Sequence, residues 1–192
     1  MRRYLLLHAG VVAFEDQGIV LPAASGHGKT TLTAALIASG FQYLSDEVAV
    51  LDAQTHHLLP FAKSLYIRSG ARDALLSLHP RLAEIAPYRP RDNPPVWYLP
   101  PCPEWLPRSP TVARFVICPR YVPGASVTLA PISRSTALQC FLDQSFNVRE
   151  HGGRGIQDLA AILRDTRCYT LSFGNLDEAV AAVQEIVGAS GP

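Results

Sequence analysis

The stretch Gly18–Gly40, GIVLPAASGHGKTTLTAALIASG, constrains this chain more than any other. An apolar run at Ile19–Leu21 reads as a buried strand. A glycine-bearing turn follows, and a helical pattern begins directly after it. The turn, Ala23 to Thr30, fits the phosphate-loop pattern G-x-x-x-x-G-K-[ST], with alanine in place of the first glycine. Gly26 and Gly28 allow backbone conformations closed to bulkier residues, so that successive N–H groups turn toward an anion. The helix that starts there adds its own unsatisfied N–H groups and the positive end of its dipole. Lys29 supplies a mobile charge for phosphate, and the Thr30 hydroxyl is a ligand of the kind Mg²⁺ takes. Ser25, Gly26, His27, Gly28, Lys29, Thr30 and Thr31 are therefore the candidate ATP-binding residues. Lys29 and Lys63 are the only lysines among 17 basic residues, so a chain that otherwise chooses arginine has lysine at the position that wants a compact ammonium.

The 192 residues are enough for one domain with a substantial core, and 48% of them are hydrophobic. A net charge of +1 gives no basic field for nucleic acid and no polybasic cluster for a membrane surface. Cys102, Cys118, Cys140 and Cys168 lie far apart without a C-x-x-C pair, which predicts reduced thiols in a cytoplasmic protein. The opening MRRYLLLHAGVV is read as a strand, because its apolar run is short and His8 interrupts it.

Tyr4–Leu7 and Gly10–Phe14 predict two short strands ahead of the loop, with no helix between them. A plain doubly wound nucleotide fold would alternate strands and helices there. Phe41–Leu44 and Val48–Leu51 predict strands around Asp46-Glu47, and His56–Leu59 and Ser64–Arg68 two more. Helices are expected over Arg72–Leu78, Ser133–Phe141, Ile156–Leu163 and Leu176–Val187, with Ser133 and Asn175 as N-caps. Thr111–Cys118 and Ser126–Ala130 predict an antiparallel pair, and Tyr169–Phe173 a further strand. Pro87–Pro110 holds nine of the sixteen prolines and both tryptophans, and is expected to be a peripheral excursion. Asn147–Gly155 reads as a basic, glycine-rich loop.

Around the phosphate loop the chain resembles the HPr kinase/phosphorylases, in particular the shorter HPr-kinase-like proteins of ribosomal-peptide gene clusters such as those for lasso peptides. The resemblance rests on His8-Ala9-Gly10, the loop ending in Gly28-Lys29-Thr30, and Leu44-Ser45-Asp46-Glu47, at matching spacings. The tail CYTLSFGNLDEAVAAVQEI is also similar. The resemblance implies an α/β, HPr-kinase-like P-loop fold related to PEP carboxykinase, with a mixed sheet, antiparallel N-terminal strands and flanking helices, as a single catalytic domain over residues 1–192. It implies ATP and Mg²⁺ as cofactors and phosphate transfer to a serine or similar hydroxyl on a peptide or small protein, with room for a homo-oligomer. It also implies a site of His8, Lys29, Asp46, Glu47 and Arg68, with Thr30 and Asp46 toward the metal and His8 supporting the carboxylate base, matched to Glu47. Arg68 matches a basic residue common in the shorter relatives.

Two departures stand out. The carboxylate pair is Asp-Glu where the family usually has Asp-Asp, and Tyr66 stands where the parent family has a magnesium-binding glutamate. The extra methylene of Glu47 moves a carboxylate by roughly an ångström, a displacement that can cost about a hundredfold in rate. Strand neighbours also face opposite sides, so Asp46 and Glu47 share a site only where the chain bends. The rival readings are a nucleotide-binding accessory protein of a peptide-maturation complex, and a kinase acting on a small-molecule hydroxyl or on HPr itself. Acceptor selectivity is expected from Trp97, Tyr98 and Trp105 in the proline-rich stretch and from Arg149 and Arg154 in the basic loop.

Overall fold

A computed structural model describes residues 3–107 and 111–189. The fold is α/β: among the described residues, a mixed and mostly antiparallel sheet of eight strands, a separate two-stranded sheet and five α-helices. The long strand β1 (Tyr4–Phe14) turns back into β2 (Gln17–Pro22), which feeds the phosphate loop and α1 (Lys29–Ala38). Two segments, β3 (Gln42–Ser45) and β4 (Val48–Asp52), then lie end to end along the far edge of β1. After β5 (His57–Leu59), the pair β6 (Leu65–Arg68) and β7 (Val96–Leu99) forms the small sheet, with α2 (Ser69–Leu76) between them in sequence. The remaining elements are β8 (Thr111–Tyr121), β9 (Thr128–Pro131), α3 (Arg134–Asp143), α4 (Gly153–Leu163), β10 (Arg167–Phe173) and α5 (Leu176–Gly188).

Burial follows the period of two that strands impose. Ile19, Leu21, Phe115, Ile117, Leu171 and Phe173 face a core shared with α1, α5 and the small sheet. Val11, Ala13, Val20, Val116 and Cys168 face the other core, closed by α3 and α4. With both faces covered, the strands read as continuous apolar runs. The sheet curls until β8 pairs with β2 on one edge and β5 on the other, so that β2, β1, β4, β5 and β8 close a ring. Gly18 sits where that ring is tightest: a Cβ there would lie 2.5 Å from Leu58 and 2.8 Å from the Val112 carbonyl.

Four expectations are corrected. The two short N-terminal runs are one strand, because His8 lies within an unbroken ladder to β4. The antiparallel pair over Thr111–Cys118 and Ser126–Ala130 does not form. Instead β10 inserts between the two strands, parallel to β8 and antiparallel to β9. The proline-rich stretch is not peripheral throughout, since β7 buries Val96, Trp97 and Leu99 against the core. Its prolines flank that strand, where a missing N–H costs no ladder bond. The end of that stretch, 108–110, lies outside the described residues. The expected loop at Asn147–Gly155 is a short 3₁₀ turn (Val148–His151) running into α4. Both N-caps form: Ser133 Oγ accepts from the Thr136 N–H (3.1 Å) and Asn175 Oδ1 from the Glu178 N–H (3.2 Å).

A core role for β7 predicts that Trp97→Ala lowers unfolding free energy by about 3–5 kcal/mol in urea titrations, as for other buried large-to-small changes. A loss below about 0.5 kcal/mol would fit a surface excursion instead.

Candidate active site

The site is set by strand polarity. Strands β2, β8 and β10 are mutually parallel neighbours, so their C-terminal ends lie at one edge of the sheet. Ligands of α/β sheets bind at such edges, outside the carboxyl ends of parallel strands. The phosphate loop leaves β2 here. Gly26 (φ 89°) and Gly28 (φ 83°) both adopt left-handed conformations, and α1 starts at Lys29. Gly28 is required twice over, because a Cβ would also lie 2.9 Å from Tyr121 and 3.1 Å from Phe173. The Tyr121 N–H donates to the His27 carbonyl (3.1 Å), tying the loop to the end of β8.

Strand β1 runs antiparallel to β2, which brings His8 to the same edge, since Ala9 pairs with Pro22. Gly10 lets α1 approach: a Cβ there would lie 2.5 Å from Thr33 Oγ1 and 3.3 Å from the Lys29 side chain. The ladder of β1 shifts register between Val11 and Val12, and the partner chain breaks between β3 and β4 at Asp46-Glu47. Ser45 Oγ closes that bend by accepting from the Val48 N–H (3.1 Å). The bend is what lets two neighbouring carboxylates border one cavity.

That cavity measures about 960 Å³, at the upper end of the range of roughly 300–1,000 Å³ for small-molecule sites. Ser25, Gly26, Gly28, Lys29, Thr30 and Thr31 line its floor, with His8, Asp46, Glu47 and Arg68 around them. Every residue expected to bind ATP or metal or to act in catalysis borders it except His27, whose side chain is exposed and whose carbonyl holds Tyr121. Arg68 donates to Ser25 Oγ (2.9 Å), joining β6 to the loop.

The electrostatics are unusual for a surface cleft. Lys29 is only 7% exposed, and its ammonium donates to His8 Nε2 (2.8 Å). His8 Nδ1–H donates to Gln144 Oε1 (3.1 Å), which leaves Nε2 as the acceptor for Lys29. The His8 partners are thus Lys29 and Gln144; its expected support of a carboxylate is not among its hydrogen bonds. Burial lowers the pKa of His8, and the Lys29 charge lowers it further, against the opposing pull of Gln144 and Glu47. Burial likewise lowers that of Lys29, with Asp46 and Glu47 working the other way.

Asp46 is 2% exposed and its Oδ1 has no hydrogen-bond partner among the described residues. Burial pushes its pKa from 3.8 up to about 6, although Lys29, the Thr30 hydroxyl and the Tyr66 N–H pull it down. A buried carboxylate oxygen without a donor, beside a threonine hydroxyl at a helix start, suits a hard divalent cation. Mg²⁺ usually keeps several waters and takes one or two carboxylates plus phosphate oxygens, so Asp46 and Thr30 fit such a site. Glu47 is half-exposed and ion-paired with Lys63, whose hydrogen bond lowers its pKa.

Sequence reasoning missed Gln144, Lys63 and the border formed by Tyr121 with Phe173–Leu176. Of the proline-rich stretch expected to overhang the site, Asn93–Val96 lines the cavity. Lys63 arrives because Tyr43 Oη donates to its carbonyl (2.9 Å) and Phe61 N–H to the Leu44 carbonyl (2.8 Å). The residues expected to select an acceptor are mostly elsewhere. Trp97 is buried under Arg72, Trp105 stacks edge-on against His79, and Tyr98 contacts Tyr66 and Tyr88; none of the three lines the cavity. Arg149 and Arg154 do not line it either, and Arg154 faces Asp158 (3.9 Å). Comparison with protein-family models and with curated proteins gives no match to this chain. No helix among the described residues is long and apolar enough to cross a membrane.

Asp46 gives a signed pH prediction. Below 3.8 the carboxyl is protonated in both states and burial costs nothing; between 3.8 and about 6 the unfolded chain ionises while the folded state keeps its proton, and above about 6 the loss is complete. Stability therefore falls over that window. Asp46→Asn should raise stability at neutral pH by on the order of 2 kcal/mol, with the gain vanishing toward about pH 4. Urea midpoints across pH test this, and a gain that persists at the acid end would contradict it.

Proposed function

We propose that this chain is an ATP-dependent kinase of the HPr-kinase-like group, with a P-loop fold related to PEP carboxykinase, transferring phosphate to a hydroxyl on a peptide or small protein. One observation carries the reading. The unpartnered carboxylate oxygen of buried Asp46 lies beside Thr30 and Lys29 at the mouth of the phosphate loop, on the cavity that Glu47 also borders. Phosphoryl transfer needs positioning, charge neutralisation and one base near the nucleophile, and these residue types supply each.

In this reading the loop amides and Lys29 hold the β- and γ-phosphates. Asp46 and Thr30 would hold Mg²⁺, which would supply charge neutralisation when bound. Glu47 accepts the acceptor hydroxyl's proton as the oxygen bonds to the γ-phosphorus. The bond to the β–γ bridging oxygen breaks, and ADP leaves. In this reading Lys29 turns from His8 to phosphate, and neutral His8, its proton fixed on Nδ1 by Gln144, tolerates that loss.

A second reading has its own support. Glu47 is engaged by Lys63, which lowers its basicity. A protein that holds ATP without transferring phosphate, as an accessory to peptide maturation, would show such a pairing. Turnover of ATP with and without candidate precursor peptides separates the two. The kinase reading predicts that Lys29→Ala abolishes nucleotide binding in a folded protein. It also predicts that Glu47→Gln keeps Mg-ATP affinity while slowing transfer by about 100- to 10,000-fold. Transfer unchanged in Glu47→Gln would remove the base, and no transfer from the wild type to any peptide would favour the accessory role.

A further inference from the structure

The sheet order gives the site two sides. Reading across β10, β8, β2, β1 and the β3–β4 break, the phosphate loop lies in the middle. His8, Asp46 and Glu47 stand on the β1 side. On the other side stand Tyr121 at the end of β8, and Phe173 and Asn175 at the end of β10. With the acidic, metal-suited groups on one side, the terminal phosphate faces that way and the rest of a nucleotide extends toward the other. Resting on the phosphate-site reading above, we infer that Tyr121 is the platform on which the nucleobase stacks, and that this wall takes adenine in preference to guanine.

Tyr121 has the properties of a platform. Its ring is 47% exposed where it borders the cavity. It is also held in place: its N–H is bound to the His27 carbonyl, and its ring meets Phe173 edge-on at 5.7 Å and 63°. Gly174 fixes the next turn, since a Cβ there would come within 2.7 Å of the Ala125 backbone. A rigid aromatic face loses little entropy when a planar base covers it.

The preference for adenine follows from what else is present. Guanine carries N–H donors at N1 and N2 that require an acceptor, and a carboxylate serves best. No charged side chain lines this wall: beyond Tyr121 and Phe173 it consists of Gly174, Asn175 and Leu176. Asn175 Oδ1 already accepts from the Glu178 N–H in capping α5, and its Nδ2 hydrogens can donate. A donor amide matches the ring-nitrogen acceptors of adenine, and no carboxylate on the wall meets the N1 and N2 donors of guanine.

Calorimetric titration of the full chain with magnesium and ATP, GTP or inorganic tripolyphosphate tests this, using wild type, Tyr121→Ala, Tyr121→Phe and Lys29→Ala. Stacking on Tyr121 predicts that Tyr121→Ala weakens ATP about ten- to a hundredfold, leaves tripolyphosphate affinity unchanged, and is rescued by phenylalanine. GTP should bind wild type at least about tenfold more weakly than ATP, the scale of about one unpaired polar group. An unchanged ATP affinity in Tyr121→Ala, or an equal loss for tripolyphosphate, would overturn the platform. Equal affinity for ATP and GTP would overturn the base preference. Failure of the underlying phosphate reading shows differently, as Lys29→Ala binding every ligand like wild type.

Discussion

The organising constraint is a buried cation with no carboxylate hydrogen-bonded to it. Lys29 is almost wholly removed from solvent, and its ammonium donates instead to a neutral imidazole. Desolvating an ammonium is costly, and an ion pair would be the usual compensation. Here the compensation is partial: His8 offers a lone pair, and Asp46 and Glu47 contribute a field without contact. The arrangement is costly for a protein that only needs to fold, and well suited to one that must deliver a charge to an incoming anion. Gln144 is integral to it, because a proton on Nε2 in place of Nδ1 would set two donors against each other.

The same economy governs the carboxylates. Asp46 is paid for in stability, ionised at neutral pH despite its burial and with one oxygen unpaired. The break between β3 and β4 is what places it beside the loop, and the register shift in β1 is the counterpart of that break. Strand irregularities of this kind commonly re-aim side chains near active sites. On the far side of the loop the strand ends are regular. The parallel strands β8 and β10 stop together at Tyr121 and Phe173 and leave an aromatic, uncharged wall. One site thus has a charged half built on a broken strand and a neutral half built on intact ones.

Much of the charged half was legible in the sequence, because its parts are local. The loop, its lysine and its helix form one continuous segment, and the Asp46-Glu47 pair sits at the junction of two apolar runs. The neutral half was not legible, since Tyr121 and Phe173 meet Gly28 only through the parallel pairings of β8 with β2 and of β10 with β8. Neighbouring strands in sequence are expected to pair, and nothing in Pro123-Gly124 signals that β10 will insert between β8 and β9. Proline content concealed β7, whose four residues carry the apolar pattern of a strand between turns that prolines build. Gln144 and Lys63 are single polar residues outside any motif, brought in by tertiary packing alone.

The imidazole ¹⁵N spectrum of His8 tests the central claim most directly, recorded free and with saturating Mg-ATP. The account predicts a neutral ring in the free protein, protonated on Nδ1, with Nε2 accepting a hydrogen bond. On nucleotide binding the Nε2 signal should move as Lys29 turns to the phosphates, while the Nδ1 signal, held by Gln144, stays in place. An Nε2 signal that does not respond while ATP is bound would contradict a Lys29 that leaves His8 for phosphate.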